Sequence, residues 1–210
     1  HGLRGAILQF EDDVDRLRDD IHRYARAWNV SAPSSNAPVI QDPERWVNEM
    51  FLTIPPSEDE ADYTLEWIRD TMFEAARRHG CKYIILDPWN ELSHIWDRHL
   101  TETAYTREAL RQIKRWARQL QIAVIIVTHP TKAAGQNKPL EEWDLYSVEA
   151  SNSWANKSDH GVVVWRETMR SVETYIKIAK SKDFRRMGMP GTVVMEFDQA
   201  TSLYKNVRSA

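Results

Sequence analysis

Cysteine is almost missing from this chain: Cys81 is the only one in 210 residues. No disulfide can form within one copy, so the fold depends on a buried core, and a reducing, cytoplasmic setting is the expectation. Long apolar runs are missing too. The longest, 83–86 and 122–127, fall far short of the roughly 20 residues that cross a bilayer, and no signal-peptide pattern opens the chain. No membrane partner is expected. The seven glycines stand at 2, 5, 80, 135, 161, 188 and 191. None lies in a G-x-x-x-x-G-K-[ST] pattern, the loop whose backbone amides cradle nucleotide phosphates. There are no internal repeats and no low-complexity tracts. A net charge of -3 announces no nucleic-acid binder overall.

The residues present describe a globular chain, 42% hydrophobic and 28% charged, long enough for one domain with a sizeable core. Nine tryptophans are expected mainly in the core or at interfaces. Charge is uneven. Residues 11–20 hold Glu11, Asp12, Asp13, Asp15, Asp19 and Asp20. Residues 165–208 hold nine Lys or Arg against five Asp or Glu, a segment suited to phosphates or to a solvated basic face.

Periodicity sets the order of elements. GAILQF (5–10) reads as a strand, and Val14, Leu17, Ile21, Ala25 and Trp28 recur at helical spacing over 12–28. Residues 30–41 read as a loop. Asp42-Pro43 opens a short helix, and FLTI (51–54) is a strand. Ser57 and Glu60 have capping-box spacing before a helix running to about Arg78, closed by Gly80. Then come a strand at 83–86, a helix at 101–120, a strand at 123–127 and a long polar loop at 131–158. Strands at 162–165, 174–179, 192–197 and 203–207 follow as a meander. Apolar strands alternating with helices predict an α/β fold with a mostly parallel sheet covered on both faces, and the meander predicts an antiparallel edge.

Three strands end in chemistry. Strand 5–10 delivers Glu11, strand 83–86 delivers Asp87 and strand 123–127 delivers His129. Ligands bind at the carboxyl ends of strands in open α/β sheets, and a carboxylate ending a buried strand needs a cation or donors. Magnesium carrying a nucleotide fits, held through one or two carboxylates plus phosphates. Each residue also has a plainer use: Asp87 as a loop cap, Glu11 as the first acid of a helix cap, His129 as a loop histidine. A nuclease centre from Asp87, Glu91 and His94 matches no familiar ligand spacing.

Longer stretches carry a family resemblance. YIILDPWNEL (83–92), VIIVTHPTK (124–132), DLYSVEASNSWANKSDHGVVVWR (144–166) and KSKDFRRMGMPGTVVMEFDQAT (180–201) resemble the C-terminal RecA-like motor domain of hexameric replicative DNA helicases of the DnaB and Twinkle type, in particular the phage-style primase–helicases. The resemblance runs from about Ala6 to Tyr204. It implies a P-loop NTPase core that takes ATP and Mg2+. Asp87 would be the Walker B aspartate, holding magnesium through water, and Glu11 the general base. His129 would link the γ-phosphate to the DNA loops. Lys132 and Lys138 would lie in or near the first DNA loop, Asn156 and Lys157 in or beside the second. Lys180 and Lys182 match a Lys-x-Arg pair that reaches a neighbouring subunit's nucleotide. The lysine at the second position lacks arginine's planar fork, and Arg185 or Arg186 could substitute. The partners implied are single-stranded DNA and further copies of the chain in a hexameric ring. Trp143 and Trp154 are candidate stacking platforms for bases, or packing under a loop.

The missing phosphate loop would lie upstream of His1, in a family where it precedes the strand matching 5–10. The chain begins with histidine and has little before its first strand, so a piece of a longer motor is the expectation. The alternatives are a non-hydrolysing RecA-like interaction module and a RecA-like ATPase of another kind.

Overall fold

A computed structural model describes residues 2–11, 13–31, 39–54, 63–92, 99, 101–131, 139–148, 151–168 and 170–207. Contacts divide the chain into two units, His1–Leu100 with Glu108–His129, and Thr101–Arg107 with Pro130–Ala210.

The first unit is built on four parallel strands: β1 (Gly5–Gln9), β2 (Phe51–Ile54), β3 (Tyr83–Asp87) and β4 (Ala123–Ile126), in the order β2-β1-β3-β4. The centre is buried most deeply. All five residues of β1 are buried, and Ile84 and Leu86 of β3 are fully enclosed. At the β4 edge the expected cover on both faces is incomplete, because Ile125 is 49% and Val127 37% exposed.

Helices α1 (Val14–Ser31), α2 (Pro43–Met50), α3 (Leu65–Arg77) and α4 (Glu102–Leu120) stand where the sequence predicts helices. Asp42 caps α2, its side chain accepting from Arg45 N, with Pro43 at the first position as expected. Ala25, Ile40 and Val47 form a small core between α1 and α2, flanked by Ile21, Trp28, Trp46 and Phe51. On α3 the buried residues are Ile68, Met72 and Ala75. Ser57 and Glu60 lie outside the described residues. The cap visible on α3 is Thr64, whose hydroxyl accepts from Trp67 N at 3.2 Å. Gly80 takes φ +69° where the chain leaves α3, a conformation that costs glycine little. Cys81 behind it is 1% exposed, and burial pushes its thiol pKa up, against the pull of Arg4. That makes it a packing residue rather than a reactive one. On α4, Ala109, Leu110, Ile113 and Trp116 are buried, as their spacing predicts.

The second unit contains an antiparallel sheet of β5 (His160–Trp165), β6 (Glu173–Ser181), β7 (Gly191–Asp198) and β8 (Leu203–Asn206), in chain order. The meander thus pairs as a sheet of its own. Trp165 stacks on Tyr175 across β5 and β6, with ring centroids 5.2 Å apart. Arg166 lies over Phe197 and donates to Thr174. The polar 131–158 segment is not loop throughout, since Ser151–Lys157 forms helix α5. A short helix, α6 (Phe184–Met187), joins β6 to β7. Gly161 sits at a bulge in β5, where a Cβ would fall 2.6 Å from Leu145.

Met72 is fully buried on the core face of α3. Met72→Ala is expected to cost about 2–5 kcal/mol, and Thr64→Ala about 1 kcal/mol through the lost cap. Urea unfolding checks both.

Candidate functional site

Register brings the three predicted strand ends together. Gln9 pairs with Asp87, and Leu86 pairs with both Leu8 and Ile126. Glu11, Asp87 and His129 therefore leave three adjacent parallel strands at the same edge. Main-chain bonds continue past the strands. Phe10 N donates to Asp87 O at 2.9 Å, Val127 N to Leu86 O at 2.9 Å, and Trp89 N to Val127 O at 2.8 Å.

Glu11 is not the helix cap. It stands three residues ahead of α1, and Asp13 does the capping instead. Asp13 accepts from Asp15 N with its side chain and from Leu17 N with its carbonyl. Phe10 holds the chain just before Glu11, its ring 4.9 Å from Tyr63 and 6.0 Å from Trp67. The Glu11 carboxylate meets His129, with Oε2 3.3 Å from Nε2. Both side chains remain more than half exposed, so this pair is open to a ligand. Asp87 is half-buried on the central strand.

Asn90 belongs to this edge, although the sequence singled it out only as part of the DPWNEL stretch. It sits in a turn, Trp89–Glu91, just past Asp87. Its Oδ1 accepts from the Thr128 hydroxyl at 3.1 Å and from His129 N at 3.0 Å. A side-chain amide just beyond a strand-ending Asp-Pro was the available signal.

Among the described residues no group of three or more His, Cys, Asp or Glu is placed to hold a metal. One carboxylate at the end of β3 suits magnesium, which keeps several waters and takes its other ligands from phosphates. It does not suit a metal needing a full protein cage. Among the described residues, Asp87 is the carboxylate that ends the central strand and would be the one to hold such an ion.

In the second unit the predicted lysines have local partners. Lys180 Nζ donates to the carbonyls of Ala155 at 2.6 Å and Ser158 at 2.8 Å, at the carbonyl end of α5. A cation there also opposes the negative end of the helix dipole. Lys182 pairs with Asp159, Nζ to Oδ1 2.9 Å, and remains well exposed. Arg185 and Arg186 are exposed on α6, with Arg186 3.6 Å from Asp183. Asn156 is exposed and Lys157 half-buried, both on the last turn of α5. Trp154 is 7% exposed, so packing rather than base stacking accounts for it, and Trp143 is half-buried. Lys132, Lys138 and His94 lie outside the described residues.

Lys180→Met removes both bonds to the end of α5 and is expected to destabilise the protein by about 1–2 kcal/mol. Lys182→Met, at an exposed ion pair, is expected to cost under about 1 kcal/mol. Equal urea midpoints for the two variants would contradict the capping role of Lys180.

The chain is similar to known proteins across the strand-end edge. A family model described as AAA domain matches residues 2–135, a span that includes Glu11, Asp87, Asn90 and His129. The Twinkle homolog protein, chloroplastic/mitochondrial, of Arabidopsis thaliana is 28% identical over 171 residues, which is 78% of this chain and 23% of that protein. The chain thus spans about a quarter of the length of the curated relative it matches. Among solved structures, one described as an ATPase domain aligns with TM-score 0.71 at 15% identity, over 98% of this chain and 75% of that one. A DnaB-like replicative helicase, described with its interactions with primase, aligns with TM-score 0.70 at 14% identity, over 98% and 52%. These structural likenesses establish the RecA-like fold, and the family match establishes membership: the chain belongs to the AAA domain family.

Proposed function

We propose that the chain is the motor domain, or most of it, of an ATP-driven replicative DNA helicase. The observation that carries this reading is the meeting of Glu11 and His129 beside Asp87, on three adjacent strand ends. ATP with Mg2+, when bound, supplies the phosphoanhydride and the cation that spreads its charge. Asp87 would hold the magnesium. Glu11 aligns the attacking water and takes its proton. His129 shares Glu11's carboxylate at rest, and its imidazole is the donor that turns to a γ-phosphate. A change at the phosphate then reaches the main chain that runs from His129 into residues 130–158.

No glycine of the sequence stands in a Walker A pattern, so this reading requires that the phosphate cradle be supplied by another segment. Support for this is the state of β4, the last strand in its sheet among the described residues, with Ile125 and Val127 exposed. An added strand carrying a Walker A loop upstream gives that edge a partner. The relatives are longer than this chain, which leaves room for such a segment. The nearest support for single-stranded DNA as substrate is the second unit. Asn156 and Lys157 end α5, Lys132 and Lys138 lie in the segment before it, and the basic stretch from Arg166 onward adds positive charge. Lys182, with Arg185 or Arg186 beside it, is the cation offered to a neighbouring copy's nucleotide in a hexameric ring. Lys180 acts there from behind, by holding α5. The lack of a phosphate loop among the seven glycines favours a second reading, a non-hydrolysing RecA-like module of a replication or recombination complex.

Glu11→Gln in the full-length protein separates the two. The motor reading expects ATP turnover to fall by about a hundredfold or more, with ATP affinity changed by no more than a few-fold. Wild-type protein that binds DNA-replication partners without turning over ATP would support the module instead.

A further inference from the structure

Asn90 does with its side chain what a main-chain carbonyl does inside the sheet. The β3–β4 ladder closes at Leu86 and Ile126. Two main-chain bonds extend it, Val127 N to Leu86 O and Trp89 N to Val127 O. The next acceptor in line is Asn90 Oδ1. One amide oxygen takes the His129 N–H at 3.0 Å and the Thr128 hydroxyl at 3.1 Å. The chain around Asn90 is anchored, because Trp89 is 6% and Leu92 7% exposed.

His129 itself has no such burial. Its side chain is 55% exposed and that of Glu11 56%, so packing constrains the imidazole only in part. Its main-chain nitrogen is tethered. The tether comes from the same turn that follows Asp87, three residues on. Asn90 therefore connects the strand bearing Asp87 to the residue that meets Glu11.

We propose that Asn90 is a positioning residue: its Oδ1 fixes the main chain at His129 so that Nε2 meets the Glu11 carboxylate, and it couples the turn after Asp87 to the turn after β4. The proposal rests on the ATPase reading for its consequence in turnover, and on the hydrogen bonds alone for its consequence in geometry. An aspartate at this position keeps an acceptor oxygen for His129 N–H and Thr128, whereas an alanine keeps none.

The geometric test uses the full-length protein with isotope-labelled histidine and reads the His129 imidazole nitrogen resonances. Glu11→Gln is expected to move them in the wild-type background and in Asn90→Asp, and to leave them unmoved in Asn90→Ala. An equal response to Glu11→Gln in Asn90→Ala, or no response in Asn90→Asp, overturns the proposal. The kinetic test expects Asn90→Ala to lower kcat about tenfold or more with KM for ATP within about twofold, as misaimed catalytic groups do. Asn90→Asp is expected to restore most of that loss. A rise in KM at unchanged kcat overturns it. If the full-length protein turns over no ATP in any form, the motor reading fails, and the resonance experiment still decides the role of Asn90.

Discussion

The parallel pairing of β1, β3 and β4 is the constraint on which the candidate site depends. Strands that run the same way end on the same side, so one register places Glu11, Asp87 and His129 together. A slip of one residue in β3 would turn Asp87 to the opposite face of the sheet. The interior locks that register, with Ala6 and Leu8 of β1 and Ile84 and Leu86 of β3 each fully buried. Burial of four small-to-medium apolar side chains thus fixes where a carboxylate and an imidazole stand. Chemistry at the edge is a consequence of packing at the centre.

Polar groups extend that order beyond the strands. Asn90 takes over from the ladder at the carboxyl ends, and the Phe10, Tyr63 and Trp67 rings hold the chain that leads to Glu11. The second unit uses cations in the same way. Lys180 closes the carbonyl end of α5, and Lys177 donates to the carbonyls of Glu141 and Trp143. These ammonium groups shape segments of their own unit. Lys182, Arg185 and Arg186 stand farther out, where charge is more available to another molecule.

Much of this is legible in the sequence because the signals are local. Apolar strands ending in Asp or in Thr-His-Pro, and helices with stripes at 3.6-residue spacing, need no distant information. Asp42 with Pro43 and Gly80 are readable for the same reason. What the sequence conceals depends on tertiary contact. The use of Lys180 as a helix cap follows from the folding of β6 against α5, 22 to 25 residues away in the chain. Helix α5 reads as loop because its seven residues, SNSWANK, include Ser and Asn, which compete for main-chain bonds, and too few turns to show a period. Asn90 is visible as a residue but not as a contact, since its partners lie 38 and 39 residues on. The meander's separation into its own sheet is likewise beyond local pattern, which reports strands but not which neighbours they choose.

The central claim is that Asp87 would hold the magnesium of a bound nucleotide whose γ-phosphate His129 would meet at the same edge. Manganese can stand in for magnesium at oxygen ligands and broadens nearby resonances. In the full-length protein with Mn2+ and ATP, the His129 imidazole signals are expected to broaden strongly, and Asp87→Asn is expected to abolish the effect. Sharp His129 signals in the presence of bound Mn2+ and ATP, or broadening that persists unchanged in Asp87→Asn, would contradict the account.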